Sequence, residues 1–128
     1  MASRVHCAPA FAALSFLVLL LAPPAAADGL PRSWQAMPGV YKVLAEGDQY
    51  QVVMATWKPG QRDLPHVHAA AGIYFLTDCK LRLYAADGSA QGEIQRFAGF
   101  AQVQPPVPGH AIENAGGSEC RVLMFEGR

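Results

Sequence analysis

The sequence predicts an all-β protein built as a sandwich or barrel, and three features favour this class. Short runs of β-forming residues follow one another along the chain, and turn residues separate them about every 8–12 positions. After residue 27, no stretch shows the 3.6-residue hydrophobic period of an amphipathic helix. An architecture of alternating strands and helices would need amphipathic segments of roughly 10–15 residues, and the sequence has none.

The first 27 residues have the features of a secretory signal peptide. Arg4 precedes an apolar run over residues 11–22, two prolines end this run, and three consecutive alanines provide a small-residue cleavage site. The run is too short to cross a bilayer, which needs roughly 20 apolar residues. We therefore expect cleavage before Asp28 and a mature protein that is periplasmic or secreted.

Removal of residues 1–27 from the 128-residue chain leaves 101 residues, enough for one domain with one hydrophobic core. Without Arg4, the mature domain has nine lysines and arginines against ten aspartates and glutamates, a net charge of about −1. Because no basic patch is visible, we expect neither nucleic acid nor, after signal cleavage, a membrane as a partner. A small-molecule ligand or substrate and a homodimer remain compatible with this composition.

The mature chain divides into a short arm and eight or nine strands. Residues 28–39 contain Gly29 and Pro31 and show little pattern, so we expect an N-terminal arm on the surface. Residues 40–128 form the β domain. The turns contain Gly47, Pro59, Gly60, Gly88, Gly99, Pro105, Pro106, Gly116 and Gly117. The strands predicted between them cover residues 41–44, 50–57, 73–77, 80–84, 91–97, 100–104, 110–114 and 121–126.

The mature domain has three histidines, and two of them are placed to share one face of an extended segment. His66 and His68 are two residues apart, and residues i and i+2 of a strand point to the same side, with about 7 Å between their Cα atoms. Two imidazoles in this arrangement can bind one metal ion. His110 begins another predicted strand; if that strand lies opposite, three imidazoles converge. The alternative is that His66 and His68 form an ordinary surface pair.

The spacing around these histidines resembles the two sequence motifs of the cupin superfamily, which are small barrels built on a double-stranded β-helix. The first motif begins G-x5-H-x-H, and the second contains G-x5-P and H-x3-N. The matching residues are Gly60, His66, His68, Gly99, Pro105, His110 and Asn114. The resemblance covers about residues 40–128. It implies a cupin-type jelly-roll barrel in which the strand of His110 lies across the barrel from the other two histidines.

The sequence departs from the cupin motifs at a metal-ligand position. The glutamate of the first motif is replaced by Gly72, and the alanines at 69–71 offer no substitute. Val107 stands where the second motif has its middle glycine. Glu113 is expected to face outward and not to act as a replacement ligand. The resemblance therefore implies a site of three histidines, as some cupin dioxygenases use for cysteine, gentisate or β-diketones.

A divalent transition metal bound by three imidazoles is the cofactor that this site implies. Neutral imidazoles form a sufficient open site, and the loss of a carboxylate shifts preference away from manganese. Zinc and iron are the preferred ions, with nickel and copper as further candidates. The competing interpretation is a cupin whose histidines serve packing or hydrogen bonding.

Four other residues are candidates for the pocket of such a barrel. Gln102 and Gln104 share one face, so both line the pocket if that face is inward and both are surface residues if it is outward. Tyr74 and Phe75 lie on opposite faces of one strand, so one of them should line the barrel. Asn114 shares the face of His110 and is a further candidate.

The two cysteines of the mature domain, Cys79 and Cys120, can pair in an oxidising compartment. Cys7 belongs to the predicted signal peptide. The alternative for Cys79 and Cys120 is that they are two partly buried small hydrophobic residues, because sequence alone does not establish pairing.

Three functions are compatible with the sequence. The first is an exported, dioxygenase-like metalloenzyme acting on a small molecule, in which the metal is a Lewis acid or a centre for dioxygen chemistry. The second is a periplasmic sensor or carrier that binds a metal or ligand without turnover. The third is a structural or dimer-forming barrel. No nucleophile–base pair, paired carboxylates or phosphate-binding loop selects a particular reaction.

Overall fold

The structure is a computed structural model that describes residues 29–128, so the predicted signal peptide and its predicted cleavage site lie outside the described residues. A one-turn helix, α1 (Ser33–Ala36), precedes nine strands. These are β1 (Tyr41–Glu46), β2 (Tyr50–Trp57), β3 (His66–His68), β4 (Ala71–Phe75), β5 (Cys79–Ala85), β6 (Ala90–Arg96), β7 (Ala101–Gln104), β8 (Val107–Asn114) and β9 (Cys120–Gly127). None of the helices in this part of the chain has the length and apolar character to cross a membrane.

The strands form two antiparallel sheets. One sheet has five strands in the order β1-β2-β9-β4-β7, and the other has four in the order β3-β8-β5-β6. The hydrophobic core contains side chains from both sheets, including Val53 and Val122 of the first and Leu81 of the second. The all-β prediction is confirmed, and the arrangement is the jelly-roll type of double sheet.

Strict alternation of buried and less buried residues decides which side chains face the interior. In β9 the buried positions are Cys120, Val122, Met124 and Glu126, every second residue of the strand. In β2 they are Gln51, Val53, Ala55 and Trp57. Both strands therefore place one polar side chain, Gln51 or Glu126, in an inward position, and the two residues are paired across β2 and β9.

The boundaries differ from the prediction mainly around β3 and β8. β8 begins at Val107, three residues before the predicted start at His110. The strand is longer because His68 pairs with Val107, in addition to the pair of His66 and His110. The N-terminal arm contains α1, which is a single turn and is therefore too short to show a hydrophobic period. The arm is also attached to β3, through a bridge between Arg32 and Val67.

The two cysteines form a disulfide that joins the two sheets. Cys79 is the first residue of β5 and Cys120 the first of β9, and their Cα atoms are 5.1 Å apart. This distance is within the usual range for a disulfide. Both residues are buried, which agrees with their place in the core.

Candidate metal centre

The three histidines converge because β3 and β8 are adjacent. His66 is the direct partner of His110 in the antiparallel pair, and His68 lies on the same face two residues further along. The expectation that the strand of His110 lies across the barrel from the other two is wrong, since β8 is the neighbour of β3. The pairing of β3 with β8 still brings the three imidazoles together, because paired residues on one face of a sheet are close.

The ring positions agree with a shared ion. The ring centroids are separated by 4.7 Å for His66 and His68, 4.8 Å for His66 and His110, and 5.1 Å for His68 and His110. One nitrogen of each ring lies within 4.8 Å of the others, so the group could hold a metal ion. The Nε2 atoms of His66 and His68 are 2.9 Å apart. Two nitrogens at about 2.1 Å from one ion and at right angles to each other are about 3 Å apart.

Hydrogen bonds fix the orientation of His66. Its Nδ1 donates to the carbonyl oxygen of Leu64 at 2.7 Å, which leaves Nε2 facing His68. The hydroxyl oxygen of Tyr41 is 3.2 Å from the same Nε2, and the Tyr41 hydroxyl donates to Asp63 at 2.6 Å. Asp63 is itself fixed by the indole of Trp57, so the wall behind His66 is rigid.

His110 is the histidine whose inner nitrogen has no partner. Its Nε2 is buried and makes no hydrogen bond to the part of the chain that the structure describes. Burial of the ring, together with the nearby His66 and His68, lowers the pKa of His110 to about 3. Burial also lowers the pKa of His66. Neutral imidazoles with a free nitrogen are the form that binds metals, so the residues fit a divalent transition metal.

These pKa shifts predict how the metal-free protein responds to acid. A histidine with a depressed folded-state pKa is neutral in the folded state, whereas the unfolded chain takes up a proton near pH 6.5. Above pH 6.5 His110 is neutral in both states, so its burial costs no protonation energy. As the pH falls from 6.5 towards 3, only the unfolded chain gains the proton, and the folded state loses stability. In the presence of a chelator, urea unfolding should show that stability falls less between pH 7 and pH 5 in His110→Ala than in the unaltered protein. An equal loss in both proteins would contradict the prediction. Gln104→Ala is the control, because it removes no titratable group and should lose as much stability as the unaltered protein.

A cavity of about 230 Å³ lies directly in front of the histidines. His68 and His110 form part of its wall, together with Tyr41 and the amides of Gln102 and Gln104. The rest of the lining is apolar or aromatic: Trp57, Ile73, Phe75, Leu81, Leu83, Ile94, Val107, Ile112, Val122 and Met124. No lysine, arginine, aspartate or glutamate is among these residues, so the histidines and the two glutamine amides are the main polar groups.

The structure separates the four pocket candidates into two pairs. Gln102 and Gln104 line the cavity, and the side-chain oxygen of Gln102 accepts a 3.3 Å hydrogen bond from Arg96. The other two candidates, Tyr74 and Asn114, do not line the cavity. Tyr74 faces outward and is 41% exposed, because Phe75 takes the inward position. Asn114 is buried.

Asn114 has a structural role because both groups of its amide are used in the turn that follows β8. Its nitrogen donates to the carbonyl oxygens of Trp57 and Ser118, and its oxygen accepts from the backbone of Gly116. Glu113 faces outward, as the sequence indicates, and bonds to Arg82 and Tyr84.

Three residues near the histidines were not found from the sequence: Tyr41, Asp63 and Glu126. Glu126 is fully buried, and its Oε1 lies 3.4 Å from Nδ1 of His68. The period of two along β9 contained the signal, because the residues at 120, 122 and 124 are apolar and Glu126 continues their face. Asp63 precedes β3 and lies in no strand, so no periodicity indicates that it is buried.

The chain has the double-stranded β-helix fold of solved cupin structures. The chain is similar to a cupin domain from Bordetella pertussis Tohama I, with 20% identity and a TM-score of 0.62 over 70% of this chain and 92% of that one. It is similar to a Klebsiella pneumoniae protein with a double-stranded β-helix domain, with 19% identity and a TM-score of 0.53 over 78% of each chain. The polyketide cyclase RemF from Streptomyces resistomycificus is 22% identical, with a TM-score of 0.52 over 68% of this chain and 63% of that one.

No protein-family model and no curated protein sequence matches the chain. The chain nevertheless has the cupin fold, which confirms the fold that its two motifs indicate. At identities of 19–22%, the solved structures establish the fold and leave the reaction to be argued from the site.

Proposed function

We propose that the protein is an exported metalloenzyme in which His66, His68 and His110 hold one divalent metal ion beside a cavity for a small molecule. The observation that carries this proposal is the Nε2 of His110, which is buried beside an apolar cavity, has no hydrogen-bond partner in the described residues and lies close to the imidazoles of His66 and His68. A histidine kept only for packing would have its buried nitrogen satisfied by a hydrogen bond. A metal bound here would supply a Lewis acid or, as iron, a centre for dioxygen chemistry.

The cavity supports a substrate rather than metal storage alone. A site closed by four protein ligands leaves no position for a substrate, whereas three histidines beside a cavity leave positions on the cavity side. An apolar cavity of about 150 Å³ accepts benzene. At about 230 Å³, this cavity fits a single-ring compound with small substituents.

The lining also limits the charge of the substrate. A charged group of the substrate would be stabilised only beside the histidines, where a divalent ion would attract an oxygen donor. Further along the same sheet, the lining is formed by residues such as Leu81, Leu83 and Ile94, where an ionised group would lose its hydration without a partner. We therefore propose a largely apolar substrate that carries its oxygen donor at one end.

Export of the domain is part of the same proposal. The signal-peptide features of residues 1–27 and the disulfide between Cys79 and Cys120 both favour an oxidising compartment. This combination supports a periplasmic or secreted location.

The test begins with metal analysis of the purified protein and continues with cobalt-loaded protein and two single-ring probes. We expect one metal per chain. The cobalt absorption spectrum should change with benzoate and remain unchanged with terephthalate, whose second carboxylate would enter the apolar end. Ile112→Phe, which fills the cavity, should keep the metal and lose the benzoate response. Failure to bind any metal after reconstitution, or equal responses to both probes, would contradict the proposal.

A further inference from the structure

Glu126 is a buried carboxylate that the three-histidine site does not use as a ligand. It is 0% exposed and lies at the end of β9. Its Oε1 accepts a 2.7 Å hydrogen bond from the backbone N–H of Ala69 and a 3.1 Å hydrogen bond from Arg32. Burying a carboxylate is costly unless it is paired and hydrogen-bonded, and these two donors partly offset that cost.

The carboxylate faces the outer nitrogen of a metal-binding ring. Oε1 of Glu126 lies 3.4 Å from Nδ1 of His68, and this Nδ1 is buried with no hydrogen-bond partner in the described residues. The other nitrogen of the ring, Nε2, lies 2.9 Å from Nε2 of His66, which is hydrogen-bond distance, so in metal-free protein His66 and Glu126 compete for the ring proton of His68. His68 therefore stands between a negative charge on one side and the metal-binding group on the other.

We infer that Glu126 is the positioning residue that keeps a ring proton of His68 on Nδ1 and thereby leaves Nε2 free for a metal ion. This inference rests on the proposed function. A negatively charged oxygen beside Nδ1 stabilises the N–H there, and the partner of one imidazole nitrogen decides whether the other can bind a metal. Glu126 therefore does not replace the glutamate ligand of the first cupin motif. It acts on His68, which is itself a metal ligand in the proposed site.

The N-terminal segment completes this arrangement. The backbone N–H of Val67, between the two histidines of β3, donates to the carbonyl oxygen of Pro31 at 3.0 Å. The next residue, Arg32, reaches Glu126 from this position, and its side chain is 29% exposed against 0% for Glu126. The segment therefore brings a cation to the carboxylate and a backbone contact to the metal-binding strand.

The test compares two matched glutamates in the full chain. Glu126→Gln keeps the shape and an oxygen for Ala69 and Arg32 but removes the charge beside His68. Glu113→Gln is the control, because Glu113 also bonds to an arginine, Arg82, at 3.1 Å and lies on the outer face. We expect cobalt affinity to fall about 10–100-fold in Glu126→Gln, as is usual for the loss of a partner behind a metal ligand, and to stay unchanged in Glu113→Gln.

A spectroscopic readout separates positioning from a general loss of structure. In metal-free protein, nitrogen-15 NMR should show a proton on Nδ1 of His68, which should be largely lost in Glu126→Gln and kept in Glu113→Gln. An Nδ1 without a proton in the unaltered protein would overturn the inference, even if the variant does not fold. So would a variant that keeps both the ring proton and the cobalt affinity. Because this readout needs no metal, failure of the unaltered protein to bind metal would refute the proposed function and leave the inference to the NMR result.

Discussion

Replacing His110 with alanine should remove stoichiometric metal binding while leaving the fold in place. Structural zinc sites, usually with four ligands, are worth about 10–16 kcal/mol, or roughly 3 kcal/mol per ligand. Since 1.4 kcal/mol corresponds to a factor of ten, loss of one ligand should weaken affinity by about 100-fold or more. Metal content after dialysis and competition with a coloured chelator measure this change.

His110 is the best choice among the three ligands because its substitution disturbs the least. Nε2 of His110 has no hydrogen-bond partner in the described residues, whereas His66 bonds to Leu64 and contacts Tyr41. Glu113→Ala is the matched control, since it lies on the same strand and points outward. Metal retained at one ion per chain in His110→Ala would refute the three-histidine site.

Removing the disulfide should cause a large loss of stability. The bridge joins residues 41 positions apart, and a loop of that length constrains the unfolded chain by about 4 kcal/mol on the chain-entropy account. We expect the double variant Cys79→Ala, Cys120→Ala to lose about 2–5 kcal/mol of unfolding free energy. Urea unfolding at fixed pH measures the difference.

Reduction of the unaltered protein provides the control for this experiment. A reductant should lower its urea midpoint but should not change that of the double variant, which has no bond to break. If thiol titration shows full reduction and the urea midpoint does not move, the disulfide does not contribute to stability.

The fold and the histidines could be predicted because their signals are local. Turn residues mark the strand ends, and the i, i+2 spacing of His66 and His68 fixes a common face. The spacing from Gly99 to His110 indicates where the third ligand lies. These patterns lie within short segments and are visible without knowing which strands pair.

The residues behind the histidines could not be predicted in the same way, because their partners are distant along the chain. Glu126 contacts Ala69, 57 positions away, and Tyr41 contacts Asp63, 22 positions away. These contacts depend on the order of strands in each sheet, which the turn signals do not determine. Asn114 shows the opposite case: it is buried as expected, but hydrogen bonds to the backbone occupy its amide, and it does not line the cavity.

The disulfide and the histidine site lie towards opposite ends of the same strand. Cys120 and Glu126, at the two ends of β9, are six residues and about 20 Å apart. Trp57 is beside Cys120 in the sheet, whereas Gln51 and Ala71 flank Glu126. The two sheets are thus joined by the disulfide at one end and, at the other, by the two-residue connection between β3 and β4. Because the sheets are joined at both ends of β9, we expect them to keep their spacing when a molecule enters the cavity.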